Sequence, residues 1–509
     1  MGAACACYAG LPGKRQGAAG RDQLPARRRL FELRQKCFYR NFGISQKFIL
    51  QKCQNMPTRT PPERLRGRGA DIASRSGAAD DARYSRNRRR GKRPPGGLNF
   101  QGGFSMNAAD TGFILICAAL VMFMTPGLAL FYGGMVRAKN VLGTVMHSMV
   151  ILGVVSIVWA VIGYTLSFGS DIGGLIGGMD FFGLNGVGLE PKEGVDNLPH
   201  LAFMVFQCMF AVITPALITG AFAERIKFTG FLLFTVLWVI FVYSPMCHWV
   251  WGGGWLAGLG ALDFAGGAVV HMSSAASALA CAIYLGKRSG YGKQPFMPHN
   301  LPLTVLGAAI LWFGWFGFNA GSALAANGLA ASAFTTTHMA AAAAAIGWMV
   351  VEWIHRGKPT TLGFVSGAVA GLVAITPAAG FVTVMPAIVI GLLAGGICYG
   401  GVLLKHLFGY DDSLDVVGIH GLGGTWGALA TGLFATTVVN EAGSNGLFYG
   451  NPGQLWIQFV SVVATWAFCF VMTMILLKIV DVVCGIRVSS EDENKGLDVS
   501  QHSEVGYQL

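Results

Sequence analysis

The chain is 509 residues long, 53% hydrophobic and only 12% charged, with 72 glycines and a mean hydropathy of +0.53. These values exclude a water-soluble globular domain and point to a chain that crosses a bilayer many times. The net charge of +12 hides two unlike parts: residues 1–105 hold 23 Lys and Arg against 6 Asp and Glu, which leaves 14 basic and 19 acidic residues for 106–509.

The first part, with QLPARRRL, NRRRGKRPPGG and scattered Gly, Ser and Pro, has no sustained apolar period and reads as a basic disordered extension. A nucleic-acid or anionic-lipid arm is the functional alternative for such a charge run, and it is not the favoured one. Asp22, Glu32, Glu63, Asp71, Asp80 and Asp81 count against an organelle presequence. The expectation is that Met106 is the true start, with the residues before it read in frame or processed away. The tail's GLPGKR is no phosphate loop, because Arg15 stands where Ser or Thr must reach magnesium.

From Met106 onward eleven apolar stretches follow, at 110–133, 141–168, 199–222, 227–246, 264–286, 301–320, 330–354, 361–377, 381–405, 415–437 and 453–484. The eighth is short, and the others are long enough to cross a hydrocarbon core of about 30 Å. The fold class is therefore an all-α polytopic membrane protein with eleven spanning helices at 106–485 and a polar tail at 486–509. Basic residues decide the orientation. Arg137 and Lys139 follow the first span, Arg225 and Lys227 the third, Lys287, Arg288 and Lys293 the fifth, Arg356 and Lys358 the seventh, and Lys405 the ninth; the alternate loops hold only Lys192. Ten against one places the N-terminus outside and the C-terminus in the cytoplasm. Such an N-terminus would require the basic extension to cross the membrane, a second argument for its absence from the mature protein.

Of the eleven cysteines, seven are scattered singly through the apolar segments, and no CxxC occurs. Neither a disulfide framework nor a metal site is expected.

Spans five and ten each carry one embedded histidine, His271 in VVHMSSAASALA and His420 in GIHGLGGTWGALA. Five is odd, so a duplicated five-helix unit sits in the membrane upside down relative to its partner, and such inverted repeats place a site where the halves meet. An ionisable side chain at that depth is costly and marks a path or a paired site. Two facing imidazoles can share one proton and line a path with their outer nitrogens. Phe210, Trp251 and Phe318 recur near the outer side and read either as interfacial belt residues or as a cage for a small cation. Ser322 adds a hydroxyl acceptor in NAGS.

Energetics select among cations. A bare monovalent ion moved into a dry medium costs tens of kcal/mol, and no ring of acids or carbonyl-filter motif runs along the spans to offset that. An amine cation escapes by shedding a proton: with a pKa near that of lysine, deprotonation at pH 7 costs about 3–5 kcal/mol.

The stretch DFAGGAVVHMSSAASALACAIYLGKR (263–288) resembles the signature of the ammonium transporter (Amt/Mep/Rh) family. TPGLALFYGGMVRAKN, GAFAERIKF, WGGGWLAGLGALDFAGG, GWFGFNAGS and DVVGIHGLGGTWGALATG match further family blocks in order, over about 106–509, with the bacterial Amt branch the nearest likeness. The resemblance implies a homotrimer with one pore per protomer between two pseudo-two-fold related halves. It implies an outer ammonium site at Phe210, Trp251 and Ser322, a supporting acid at Asp263 that does not touch the ion, a gate at Phe210 and Phe318, and a histidine pair at His271 and His420. Passage would be of NH3 after NH4+ loses its proton. No cofactor and no enzymatic activity are implied. The tail resembles the cytoplasmic segment of bacterial members, whose inner face a PII-type regulator blocks, although His502-Ser503-Glu504 departs from the usual His-Gly-Glu at its middle residue. The rivals are an ammonium sensor on the same fold, a cation-coupled transporter, and a neutral-solute channel, the last disfavoured because Gly453 follows Asn451-Pro452 where such channels need alanine.

Overall fold

A computed structural model describes residues 106–507, and the basic extension lies outside them. Eleven apolar helices follow one another in the predicted order. They are α1 (Ala108–Met135), α2 (Ala138–Phe168), α3 (His200–Phe222), α4 (residues 228–251), α5 (Gly267–Leu285), α6 (Leu301–Gly321), α7 (Gly328–Arg356), α8 (Thr361–Ile375), α9 (Val384–Phe408), α10 (residues 417–434) and α11 (Pro452–Cys484). Among the described residues nine are long and apolar enough to cross a membrane, while α8 spans only 15 residues. The arrangement is consistent with eleven spans. Two short helices, α12 (Ser490–Lys495) and α13 (Leu497–His502), form the tail.

Local chemistry sets the helix ends. Side chains of Asn107, Asn300, Asn327 and Thr360 accept backbone N–H bonds in the first turns of α1, α6, α7 and α8. Gly357 and Gly409 close α7 and α9 in the left-handed region, at φ 77° and 71°. Several boundaries differ from the sequence expectation by two to five residues, and two of them have a clear physical cause. The fourth span runs past 246 to Trp251, because His248 is held inside the helix by polar partners and does not end it. The fifth helix begins at Gly267 rather than 264, because Asp263 caps it from outside and Gly266, at φ 118°, turns the chain in.

α1 lies along α6, α7 packs on α8 and α9, and α11 closes against α5 and α10. Close approach depends on missing side chains: a Cβ on Gly307 would stand 2.3 Å from the Phe131 amide nitrogen, and one on Gly391 would stand 2.1 Å from the Ala340 carbonyl oxygen. The α3–α5 contact has its counterpart in α8–α10, as a five-helix repeat requires. Between α2 and α3 two small hairpins cover one end: β1 (Asp171–Ile172) with β2 (Ile176–Gly177), and β3 (Pro191–Lys192) with β4 (Val195–Pro199).

At the opposite end the basic loops converge. Arg137 and Arg288 both pair with Glu224, at 2.8 and 3.1 Å, and Arg288 clasps Asp411 at 2.8 Å. Arg356 and Lys405 line one cavity with them. The loops after helices α1, α3, α5, α7 and α9 therefore share one face, the grouping that the charge count requires. Burial pushes the Glu224 carboxyl up, but hydrogen bonds from Arg137 and the charges of Arg288 and Arg137 outweigh it and leave its pKa below the ordinary 4.5. A depressed carboxylate pKa stabilises the fold above the unfolded value, and the gain is lost as pH falls through the folded one. Wild type should therefore unfold at a higher temperature than Glu224→Gln in detergent at neutral pH, and the gap should narrow as pH falls below about 4.5. A gap independent of pH would show that the carboxylate charge contributes nothing.

Candidate functional site

α3 brings Phe210, α4 ends on Trp251, and α6 carries Phe318 and, just past its end, Ser322. Phe210, Trp251 and Ser322 line a cavity of about 390 Å³ at the end covered by the hairpins. The rings of Phe210 and Trp251 meet edge to face with centroids 5.7 Å apart, the geometry that aromatic quadrupoles favour. Ser322 Oγ donates to the Phe318 carbonyl at 2.9 Å, so its lone pairs remain to accept from a cation. Gln207, about one helical turn before Phe210, lines the same cavity with a buried Oε1 that has no partner among the described residues.

Phe210 and Phe318 are fully buried with ring centroids 4.4 Å apart. Phe210 belongs to the outer cavity, whereas Phe318 lines a second, narrow one of about 20 Å³ with His271, His420, Trp315 and Val270. The ring pair thus divides the two spaces. The inner cavity has room for about one water-sized molecule. Its walls are apolar except for the two imidazoles. His271 Nδ1 and His420 Nδ1 lie 3.3 Å apart, so one ring donates to the other. His271 Nε2 is buried without a protein partner among the described residues. Trp315 stacks on the His271 ring at 5.4 Å and donates its indole N–H to Thr376 at 2.9 Å, which fixes the imidazole plane.

Asp263 does not line either cavity. Its carboxylate accepts from the amides of Gly266 (2.9 Å), Gly267 (2.5 Å), Ala268 (2.8 Å) and Val269 (3.3 Å), and so satisfies the orphan N–H groups at the start of α5. Its backbone carbonyl accepts from Trp251 Nε1 at 2.9 Å. One residue therefore holds both the helix that carries His271 and the ring at the cavity mouth.

Three residues here escaped the sequence reading. Trp315 sits one helical turn before Phe318 in WFGWFGFNAGS, so its place on the same face was available from spacing. Asp412 accepts from Val417 N at 2.7 Å and caps α10 as Asp263 caps α5. Both aspartates stand eight residues before their histidine, in DFAGGAVVH and DSLDVVGIH, a further sign of internal duplication. Gln207 gave no signal beyond being polar in an apolar run. Both histidines also lie in π-helical turns, Gly267–Met272 and Val417–Gly421. Such bulges concentrate at functional positions.

A model of the Ammonium Transporter Family matches residues 112–507. The chain belongs to that family. An ammonium transporter of Bacillus subtilis is 56% identical over 404 residues, covering 79% of this chain and 99% of the relative. Ammonium transporter Amt1 of Archaeoglobus fulgidus is 52% identical over 402 residues, 79% of this chain and 100% of the relative. Among solved structures, Saccharomyces cerevisiae Mep2 superposes with a TM-score of 0.72 at 37% identity, over 76% of this chain and 89% of Mep2. A structure described as a Sensor Amt Protein gives 0.71 at 30% identity, over 77% and 98%.

In this ammonium transporter family member the tail is hydrogen-bonded to the helix ends. Asp498 Oδ1 accepts from Gly143 N at 2.8 Å, and Gln501 Oε1 accepts from Phe228 N at 3.2 Å, so the tail caps the first turns of α2 and α4. Ser503 lies in the left-handed region at φ 55°, a conformation that glycine adopts at no steric cost.

Proposed function

We propose that this protein carries ammonium across a membrane by binding NH4+ in the outer cavity, releasing its proton at the ring pair either to the His271–His420 imidazoles below or back to the solvent of the outer cavity, and passing NH3 along the paired imidazoles. The observation that carries this reading is the division of the path: a roomy aromatic cavity, two touching rings, and a lumen of about 20 Å³ whose only polar lining is His271 and His420. Phe210 and Trp251 offer ring faces to a cation, each worth about 0.5–2 kcal/mol when desolvated, and Ser322 and Gln207 offer oxygen acceptors. Neither could carry the ion through the lumen, where desolvation costs tens of kcal/mol. Shedding a proton costs about 3–5 kcal/mol at pH 7, a route open to NH4+ and closed to K+. The shared Nδ1 proton keeps the two rings in register, and their outer nitrogens meet the neutral amine.

The convergence of basic loops at one end supports an orientation with the aromatic cavity outside and the tail in the cytoplasm of a plasma membrane. His338, exposed midway along α7 beside Trp312 at 5.6 Å, supports a homotrimer, because an imidazole facing lipid at that depth needs a covering neighbour. The polar tail and the vestibule beside it are where a PII-type regulator would dock. A sensor on this fold is the second reading, favoured by the likeness to the Sensor Amt Protein.

Ammonium-evoked current in proteoliposomes holding the purified chain separates the two. Transport predicts a saturable current where the released proton follows the amine along the imidazoles, and saturable ammonia flux without current where it returns to the outer side; ammonium binding with neither current nor ammonia flux would replace transport with sensing.

A further inference from the structure

Lys192 is set apart from the other basic residues. It lies in the β3–β4 hairpin at the far end from the basic loops, pairing with Val195 across a two-residue turn in which Gly194 takes φ 79°. That short turn fixes where the side chain starts. Its Nζ lies 5.8 Å from the Phe203 ring centroid and donates to the Glu193 carbonyl at 3.3 Å. Among the described residues no carboxylate stands within ion-pair distance of it. Burial draws its pKa below the ordinary lysine value, and the Glu193 charge only partly restores it.

Lys192 and Phe203 line the same 390 Å³ cavity as Phe210, Trp251 and Ser322, and so does Glu193, whose carbonyl accepts from Lys192 Nζ while its carboxylate forms no ion pair with it. The wall of the cation's entry thus already holds an alkylammonium group resting on an aromatic face, the chemistry that the entering ion needs. We propose that Lys192 is a tethered competitor whose charge lowers the apparent affinity of the outer cavity for ammonium. The proposal rests on reading that cavity as the entry of the cation. Two unit charges within a space about 9 Å across, partly open to water, repel enough to change occupancy roughly three- to tenfold. Repulsion between charges acts on any monovalent cation alike, whereas ring faces and oxygen acceptors discriminate among them. Lys192 therefore sets how much ion is captured and leaves to Phe210, Trp251 and Ser322 which ion it is.

The test measures half-saturating concentrations of ammonium and methylammonium for the full chain in proteoliposomes, at about 10 mM and about 0.3 M sodium chloride, where screening differs severalfold in range. Lys192→Gln should lower both values by the same factor, roughly three- to tenfold at low salt, with the maximal rate unchanged and the gain shrinking at high salt. Lys192→Arg keeps the charge and should behave as wild type. Trp251→Leu, run beside them, should raise both values. If Trp251→Leu does so and Lys192→Gln leaves them unchanged, the competitor role is overturned while the entry stands. A Lys192→Gln shift that is unequal for the two amines, or indifferent to salt, would mark a distorted hairpin and also overturn it. Should Trp251→Leu change nothing, the cavity is not the entry and the role of Lys192 goes with it.

Discussion

Replacing His271 with alanine should reduce ammonium-evoked current in proteoliposomes by about 10²-fold or more, and His420→Ala should do the same, because a positioned acid–base group contributes on that scale. Each variant removes one partner of the 3.3 Å Nδ1 contact and leaves the other imidazole alone in an apolar lumen. The single ring then loses the hydrogen bond that fixes its tautomer and plane. For His271→Ala the Trp315 indole also loses the ring it stacks on. Both variants should elute as wild type does in size-exclusion chromatography, since the site lies between helices whose packing does not depend on the imidazoles. If either variant keeps more than about a tenth of the current, the histidine pair is not on the path of proton and amine.

Asp263→Ala should cost on the order of 4 kcal/mol of stability, because four buried amides of α5 lose a charged acceptor at once. The readout is the thermal unfolding midpoint in detergent. Asp263→Asn keeps one acceptor oxygen without the charge and should fall between alanine and wild type. Transport should weaken in step with the loss of order at Trp251, whose indole donates to the Asp263 carbonyl. Tryptophan emission can follow that ring directly. An alanine variant as stable as wild type would mean that the amides find other partners, and that the carboxylate is not what starts the helix.

The sequence made the helices legible because lipid enforces length and apolarity, and it made the gathering of the basic loops at one end legible because the basic residues fall on alternate loops. His271 and His420 were visible for the same reason: a titratable ring is conspicuous in an apolar run. Gln207 was not, since an amide side chain on a buried helix looks the same whether it faces the lumen or a neighbouring helix, and Trp315 could be placed only relative to Phe318, by spacing. The direction a side chain takes depends on how α3 and α6 rotate against each other, which periodicity does not encode in helices apolar all round. Asp263 was expected as a support that does not touch the ion, and in the fold its carboxylate meets four amides and its carbonyl meets Trp251, contacts through which such a role could act. The end of α4 was placed five residues too early, just before the polar His248. In the fold its Nε2 meets Asp171 at 2.8 Å and its Nδ1 the Ser167 carbonyl at 3.0 Å, so the polarity is absorbed inside the helix.

The aromatic cavity stands at one end of the fold, while a cavity at the opposite end is lined by arginines, a lysine and carboxylates. That asymmetry does not make a one-way valve. By detailed balance, a binding site at one end raises occupancy there and speeds exchange in both directions by the same factor, so the ratio of inward to outward flux is set by the electrochemical gradients of the amine and of any proton that travels with it. Accumulation against an ammonia gradient would have to come from the membrane voltage acting on that proton, and the number of charges moved per nitrogen fixes the steepest gradient the protein can sustain.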